Sequence, residues 1–186
     1  MLGNIVIFMG FGKELIMLTK KMETELNEQI NKELYSSYLY LSMSAYCAEI
    51  GFSGFANWLR IQAKEELDHA MKLFDYVLER GGNAFLAKIE QPDATWVSLT
   101  NIFEATLKHE QFITSSINHL MEVATEEKDF ASMSFLNWYV CEQIEEEANA
   151  DELLKKLQFS GDDKNAVLML DKELAARVYT PLAAAE

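Results

Sequence analysis

Residues 53–80 read SGFANWLRIQAKEELDHAMKLFDYVLER. Apolar positions recur here with a period near 3.6, which is the mark of a helix. Phe55, Leu59, Gln62, Glu66, His69 and Leu73 fall at alternating steps of four and three, on one stripe. That stripe is apolar at both ends and carries a carboxylate and an imidazole in its middle. Gly81 and Gly82 end it. A helix of this length is more than twice the usual three turns.

The same period extends in both directions. Upstream, Leu26, Ile30, Glu33, Ser37, Tyr40 and Ser44 form a stripe that begins just after Met17 and lasts to about residue 49. Gly51 supplies a stop and Ser53 a restart. Downstream, residues 82–97 carry no clean period and hold Pro92. A third helix covers about 98–124, with Phe103, Thr106, Glu110, Ile113, Ile117 and Leu120 aligned. A polar break at 126–129 precedes a fourth over about 130–159, read with Phe135, Tyr139, Glu142, Glu146, Asn149 and Leu153 on one face. Gly161 stops it, and a short helix spans about 163–174. Parallel helices need a long connection, because a short loop only reverses direction. The pattern therefore predicts an all-α fold: a four-helix bundle with one long crossover and a short fifth C-terminal helix. Residues 17–176 form this domain, and 177–186 are expected to be a flexible tail.

Composition agrees and narrows the function. The chain has 186 residues, 49% hydrophobic and 25% charged, enough for a core. Two prolines and eight glycines permit long helices. Thirty acids against sixteen bases leave a net charge of −14, a field that repels phosphate backbones and attracts cations. A nucleic-acid binder is unexpected, and no segment has the length of a membrane span. Cys47 and Cys141 are too few and too far apart for a disulfide framework or a zinc knuckle, so a cytoplasmic location is expected. Both are read as small core hydrophobes.

Each core stripe is interrupted by a carboxylate: Glu33, Glu66, Glu110 and Glu146. An isolated buried carboxylate costs several kcal/mol, so such groups are paired or bound to metal. Four of them facing one interior repel one another unless divalent cations sit between them. His69, at i+3 from Glu66, adds a neutral imidazole nitrogen on the same face. Hard oxygens with a little imidazole suit iron or manganese, and zinc also binds such a set. A second acidic group, Glu65, Glu142 and Glu145, points to a third, looser site at the inner end of the centre. Glu147 is read as solvated. Gln143 lies one position off the stripe and fits either the centre or a surface amide. Tyr40 is about 10.5 Å along the axis from Glu33. It can hydrogen-bond a ligand, supply an electron or simply fill the core. Trp138 and Tyr139 are read as packing, and His109 and His119 as solvated.

With these residues in place, the chain resembles the bacterial non-haem ferritins. The matching strings are LNEQINKELYSSYLYLSMSAYC, GFANWLRIQAKEELDHAMKLFDYVLERGG, KHEQFITSSI and FLNWYVCEQIEEE, and with the spacing between them the likeness covers about 26–174. The resemblance implies a ferritin-like bundle and a ferroxidase centre. Glu33, Glu66 and His69 would take one iron; Glu66 as bridge, with Glu110 and Glu146, would take a second. Gln143 and Tyr40 would stand beside them, and Glu65, Glu142, Glu145 and Glu146 would form the third iron site. It implies Fe2+ as substrate, O2 or H2O2 as oxidant, and ferric oxyhydroxide stored in a homo-oligomeric shell of 24 subunits, with the fifth helix at the four-fold axes. Asn149 at i+3 from Glu146, and Leu67 where a haem-ligating methionine would fall, separate the chain from the haem-binding branch, so no haem is expected. Met133 and Leu136 replace the acids of the three-fold channel found in animal ferritins. The rival is a di-iron oxidase or oxygenase acting on an organic substrate.

Residues 1–16 read as a non-native extension. The apolar run 5–11 has no basic segment before it and no small-residue cleavage site after it, so it makes a poor signal peptide. Lys13-Glu14 can be encoded AAGGAG, which resembles a ribosome-binding site, and translation is expected to start at Met17. The intact mass of protein from its native host should therefore lack residues 1–16; a mass that includes them ends the idea.

Overall fold

The computed structural model describes residues 17–182. The proposed start at Met17 concerns residues 1–16, which lie outside the described residues, as does the tail beyond 182. Five helices follow in order: α1 (Lys20–Glu49), α2 (Ser53–Glu79), α3 (Leu99–Glu126), α4 (Phe130–Ser160) and α5 (Lys164–Leu174). The expected all-α bundle with a short fifth helix is what forms. Side-chain oxygens of Thr19, Ser98, Asp129 and Asp163 accept from the first free N–H groups of α1, α3, α4 and α5. Each such cap contributes about 1 kcal/mol. The stops are residues with positive φ: Gly51 at 90°, Gly161 at 51° and, between α3 and α4, Lys128 at 55°.

α1 packs on α2, α3 on α4, and α1 on α3. The residue pairs in contact run in opposite order across each interface. Ser44 and Ser37 of α1 donate to the carbonyls of Ala56 and Ala63 of α2. Gln62, His69 and Tyr76 of α2 meet Glu146, Tyr139 and Ser132 of α4. α2 and α3 therefore run the same way on a diagonal of the bundle, and the crossover exists to join them. It travels along the outside of α1. Asn27 and Asn31 donate to the carbonyls of Asn83, Ala87 and Lys88, Ser42 to Asp93 and Tyr46 to Trp96. A polar edge on α1 thus satisfies carbonyls that no strand or helix would.

The core is divided. One apolar cluster, with Tyr40, Phe55, Leu59, Phe103 and Leu157, sits where α5 docks. A second, with Met22, Leu26, Ile30, Leu73, Ile113 and Leu136, fills the other end. The carboxylates lie between them. One stripe was misread. The buried face of α4 is Ser132, Leu136, Tyr139, Gln143, Glu146, Ala150, Leu153 and Leu157. Phe135 and Glu142 are only half-buried, and Asn149 is exposed. Two other expectations fail on burial. Cys141 is exposed while Cys47 is buried. His109, expected in water, is largely covered and bonded to Ser36 Oγ at 2.8 Å.

α2 begins at Ser53 as expected but has no side-chain cap of its own. Asp171 of α5 caps it instead, accepting from the N–H of Gly54 at 2.8 Å and of Phe55 at 3.0 Å. A Cβ on Gly54 would lie 1.6 Å from the backbone oxygen of Asp171. Gly54→Ala should therefore push α5 off α2 and cost about 1–3 kcal/mol. A lower melting temperature, with faster proteolysis after residue 160, is the expected result; unchanged melting would mean that α5 is not seated here.

Candidate metal centre

Glu33, Glu66, His69 and Glu110 are each 1–2% exposed, with Gln143 at 5% and Glu146 at 6%. The structure brings these six into one belt at mid-bundle. Its hydrogen bonds come from neutral donors. Gln29 Nε2 donates to Glu33 Oε1 at 2.8 Å, and Gln62 Nε2 to Glu146 Oε2 at 2.6 Å and to Glu66 Oε1 at 3.3 Å. The Tyr40 hydroxyl donates to Glu110 Oε1, and Gln143 Nε2 lies 3.4 Å from Glu110 Oε2. His69 Nδ1 is 3.5 Å from Glu66 Oε2, and the His69 carbonyl accepts from Tyr139. Glu33 Oε2 is buried and receives no hydrogen bond from any donor, with the Glu66 carboxyl facing it.

Glu33, Glu66 and His69 present ligand atoms within 4.8 Å of one another, and so do His69, Glu142 and Glu146. Either group has the donor chemistry to hold a divalent ion. Glu110 belongs to neither, being turned to Tyr40 and Gln143. Of the outer acids, Glu142 joins the second group. Glu65 is paired with Arg177 at 2.5 Å, and Glu145 is exposed outside both groups.

Electrostatics follow from burial. Desolvation first, then the facing Glu66 carboxylate, pushes Glu33 up to about 8. Desolvation and Glu110 push Glu146 up to about 8. Desolvation raises Glu110 to about 7, against the bonds from Tyr40 and Gln143. Glu66 is held well above the usual carboxyl range by burial and by Glu110 and Glu146. Burial also raises the Tyr40 phenol. Without metal the belt retains protons near neutrality, and a bound cation would displace them.

Residues passed over in the sequence complete the belt. Gln29 and Gln62 each stand four residues before a buried glutamate, one turn away, where an amide reaches a carboxylate. That Gln-x-x-x-Glu spacing was a readable signal. Gln29 is itself fixed by Ser116, which accepts from Lys32. The part played by Arg177 carried no sequence signal.

Long helices carrying buried carboxylates and one histidine on their facing sides make a carboxylate-bearing bundle with candidate metal-ligand groups in its core. The ferritin-like domain family matches residues 23–160. A bacterial non-heme ferritin of Staphylococcus saprophyticus is 40% identical over 88% of this chain and 98% of its own. A non-heme ferritin-like protein of Haemophilus influenzae is 45% identical over 85% of this chain and 96% of its own. An open-pore ferritin of the archaeon Archaeoglobus fulgidus is 52% identical, with a TM-score of 0.86 over 87% of this chain and 98% of that one. The chain belongs to the ferritin family and is an iron-storage protein.

The raised carboxyls set a pH dependence. In the unfolded chain these groups ionise near 4.5; folded and metal-free, Glu33, Glu110 and Glu146 do so at about 8, 7 and 8. The folded state therefore binds more protons between those values, and stability falls as pH rises through the window. The melting temperature of metal-free protein should drop by several degrees between about pH 5 and 8. Added Zn2+ should restore more of it at pH 8 than at pH 5. A metal-free melting temperature that stays flat or rises would mean these carboxyls ionise as they do in water.

Proposed function

We propose that this ferritin oxidises Fe2+ at the buried belt and stores the Fe3+ as ferric oxyhydroxide inside a shell of 24 copies. One observation carries the oxidation step: a fully buried carboxylate oxygen, Glu33 Oε2, receives no hydrogen bond from any donor among three other buried carboxyls and a histidine. Such an arrangement is costly alone and is relieved by divalent cations. Glu33, Glu66 and His69 would hold the first Fe2+. Glu66 would bridge to a second, held with Glu110 and Glu146. Tyr40 and Gln143, by donating to Glu110, steady it for that role.

Binding expels the protons that the metal-free carboxyls retain. The anionic oxygens then favour Fe3+ over Fe2+, which makes oxidation downhill. Two Fe2+ release two electrons. O2 takes them with two protons and leaves as H2O2, or H2O2 takes them with two protons and leaves as two waters. Hydrolysis of Fe3+ gives the mineral, and surplus acids drawn from a net charge of −14 supply surface for its growth. A third, looser iron site would centre on Glu142 and Glu146 at the inner end, with Glu65 and Glu145 as its outer acids.

Assembly is supported by apolar side chains that a lone subunit leaves wet. Phe159 is 95% exposed and Val97 88%, and Leu168 and Met169 of α5 are exposed as well. α5 would contribute the contacts at the four-fold axes. We place the protein in the cytoplasm, where its two free thiols stay reduced. The rival oxidase needs an apolar pocket beside the metals. The groove that reaches the belt at Gln143 is lined by Thr114, Asn118 and Glu147 as well as Ile117, Val140 and Ile144, which suits ions and water better than an organic substrate.

Glu66→Ala should slow aerobic Fe2+ oxidation by about 100-fold in stopped flow while the shell elutes unchanged from size exclusion. Oxidation at the wild-type rate would remove Glu66 from the centre.

A further inference from the structure

Three residues beyond α5, the chain turns back over α2. Asn57 Nδ2 holds this strap by donating to the carbonyls of Leu174 at 3.2 Å and Arg177 at 3.0 Å. The Tyr179 hydroxyl donates to Asp68 at 2.6 Å. Between these anchors the Arg177 guanidinium lies 4.7 Å from the Trp58 ring centre. Its Nη1 donates to the Trp58 carbonyl and to Gln62 Oε1, both at 3.2 Å, and its Nη2 donates to Glu65 Oε2 at 2.5 Å. The Leu182 N–H also lies 3.4 Å from Asp68 Oδ2.

The place of this cation matters. Glu65 adjoins Glu66 in sequence and is an outer acid of the proposed third site. Gln62, whose oxygen Arg177 engages, turns its amide nitrogen to Glu146 and Glu66. The guanidinium is thus joined directly to the outer acid and, through one amide, to the inner ones. Arg177 holds Glu65 Oε2, so a metal ion taking Glu65 would have to share this carboxylate and its charge with the guanidinium. Meanwhile Glu142 and Glu146 remain within reach of His69 without Glu65.

We propose that Arg177 is a built-in competitor for the third metal ion. While it holds Glu65, a third ion has only the Glu142 and Glu146 group and binds weakly. When it is removed, Glu65 joins that group and the third ion binds tightly. The proposal rests on the metal reading of the belt, and the test separates the two.

The probe is Co2+ alone, titrated into the assembled protein and followed by calorimetry and by its visible absorption. Wild type should bind two ions per subunit tightly and a third weakly. In Arg177→Gln the third should tighten by about 10-fold, and the absorption should saturate near three equivalents. Arg177→Lys keeps a cation at Glu65 and should return the wild-type pattern, which a purely structural role of the strap would not require. Should Arg177→Gln fail to assemble, Asn57→Ala loosens the strap without touching any proposed ligand and must tighten the third ion in the same direction. Isotherms of Arg177→Gln or Asn57→Ala that superimpose on wild type overturn the proposal. Wild type that lacks the two tight ions would instead overturn the metal reading of the belt.

Discussion

Four carboxyl groups share one dry belt, and nearly everything else in the subunit answers that constraint. An unpaired buried charge costs several kcal/mol, a large share of a typical domain's margin of stability. The bundle meets this by separating its core into two apolar clusters, one at each end. Helices of 27 to 31 residues are what give room for both. The hydrogen bonds that reach the belt come from Gln29, Gln62, Gln143 and Tyr40. Amides and a phenol orient carboxylates without neutralising them, so the demand for positive charge is preserved for metal. An arginine in any of those four places would satisfy the acids and close the site.

Three of the four stripes were legible because each pairs clean 3.6 periodicity with unambiguous apolar ends. The α3 stripe from Phe103 to Leu120 is buried throughout. α4 misled because it is amphipathic only weakly: four glutamates lie within 142–147, and Phe130, Ile144 and Phe159 face outward. Starting from Phe135 rather than Leu136 turns the helix by about 100°. Glu146 then stays on the stripe by the tolerance of the 4-3 step, while Gln143 and Glu142 exchange places. The outward Phe and Ile side chains are what a subunit destined for apolar contact would carry, and they disguise the inner face of α4 in a single sequence. His109 was misjudged for a similar reason. Its stripe places it off the core axis, yet Tyr35, Tyr40 and Phe112 surround its ring, and burial lowers it to about 4.

The contacts that were not legible are those between residues distant in sequence with no periodic signature. Asp171 caps α2 through Gly54, 117 residues earlier, and Arg177 reaches Glu65 across 112. Neither a helix propensity nor a stripe can report them, because both depend on how α5 lies across α2. Gly54 is the residue through which the sequence permits that placement: its missing side chain is the space occupied by the Asp171 backbone.

Magnitudes decide what holds the strap in position. Both side chains of the Arg177–Glu65 pair are 23% exposed, and partly solvated pairs of this kind contribute at most about 1 kcal/mol. That is too little to order the chain that carries it, since fixing each backbone residue costs about 1–2 kcal/mol. The ordering has to come from α5, whose Leu170 and Leu174 are buried in the apolar cluster and whose Asp171 completes α2. The charge beside Glu65 is therefore delivered by packing: the apolar face of α5 fixes the strap, and the strap fixes Arg177 against Glu65 and Gln62.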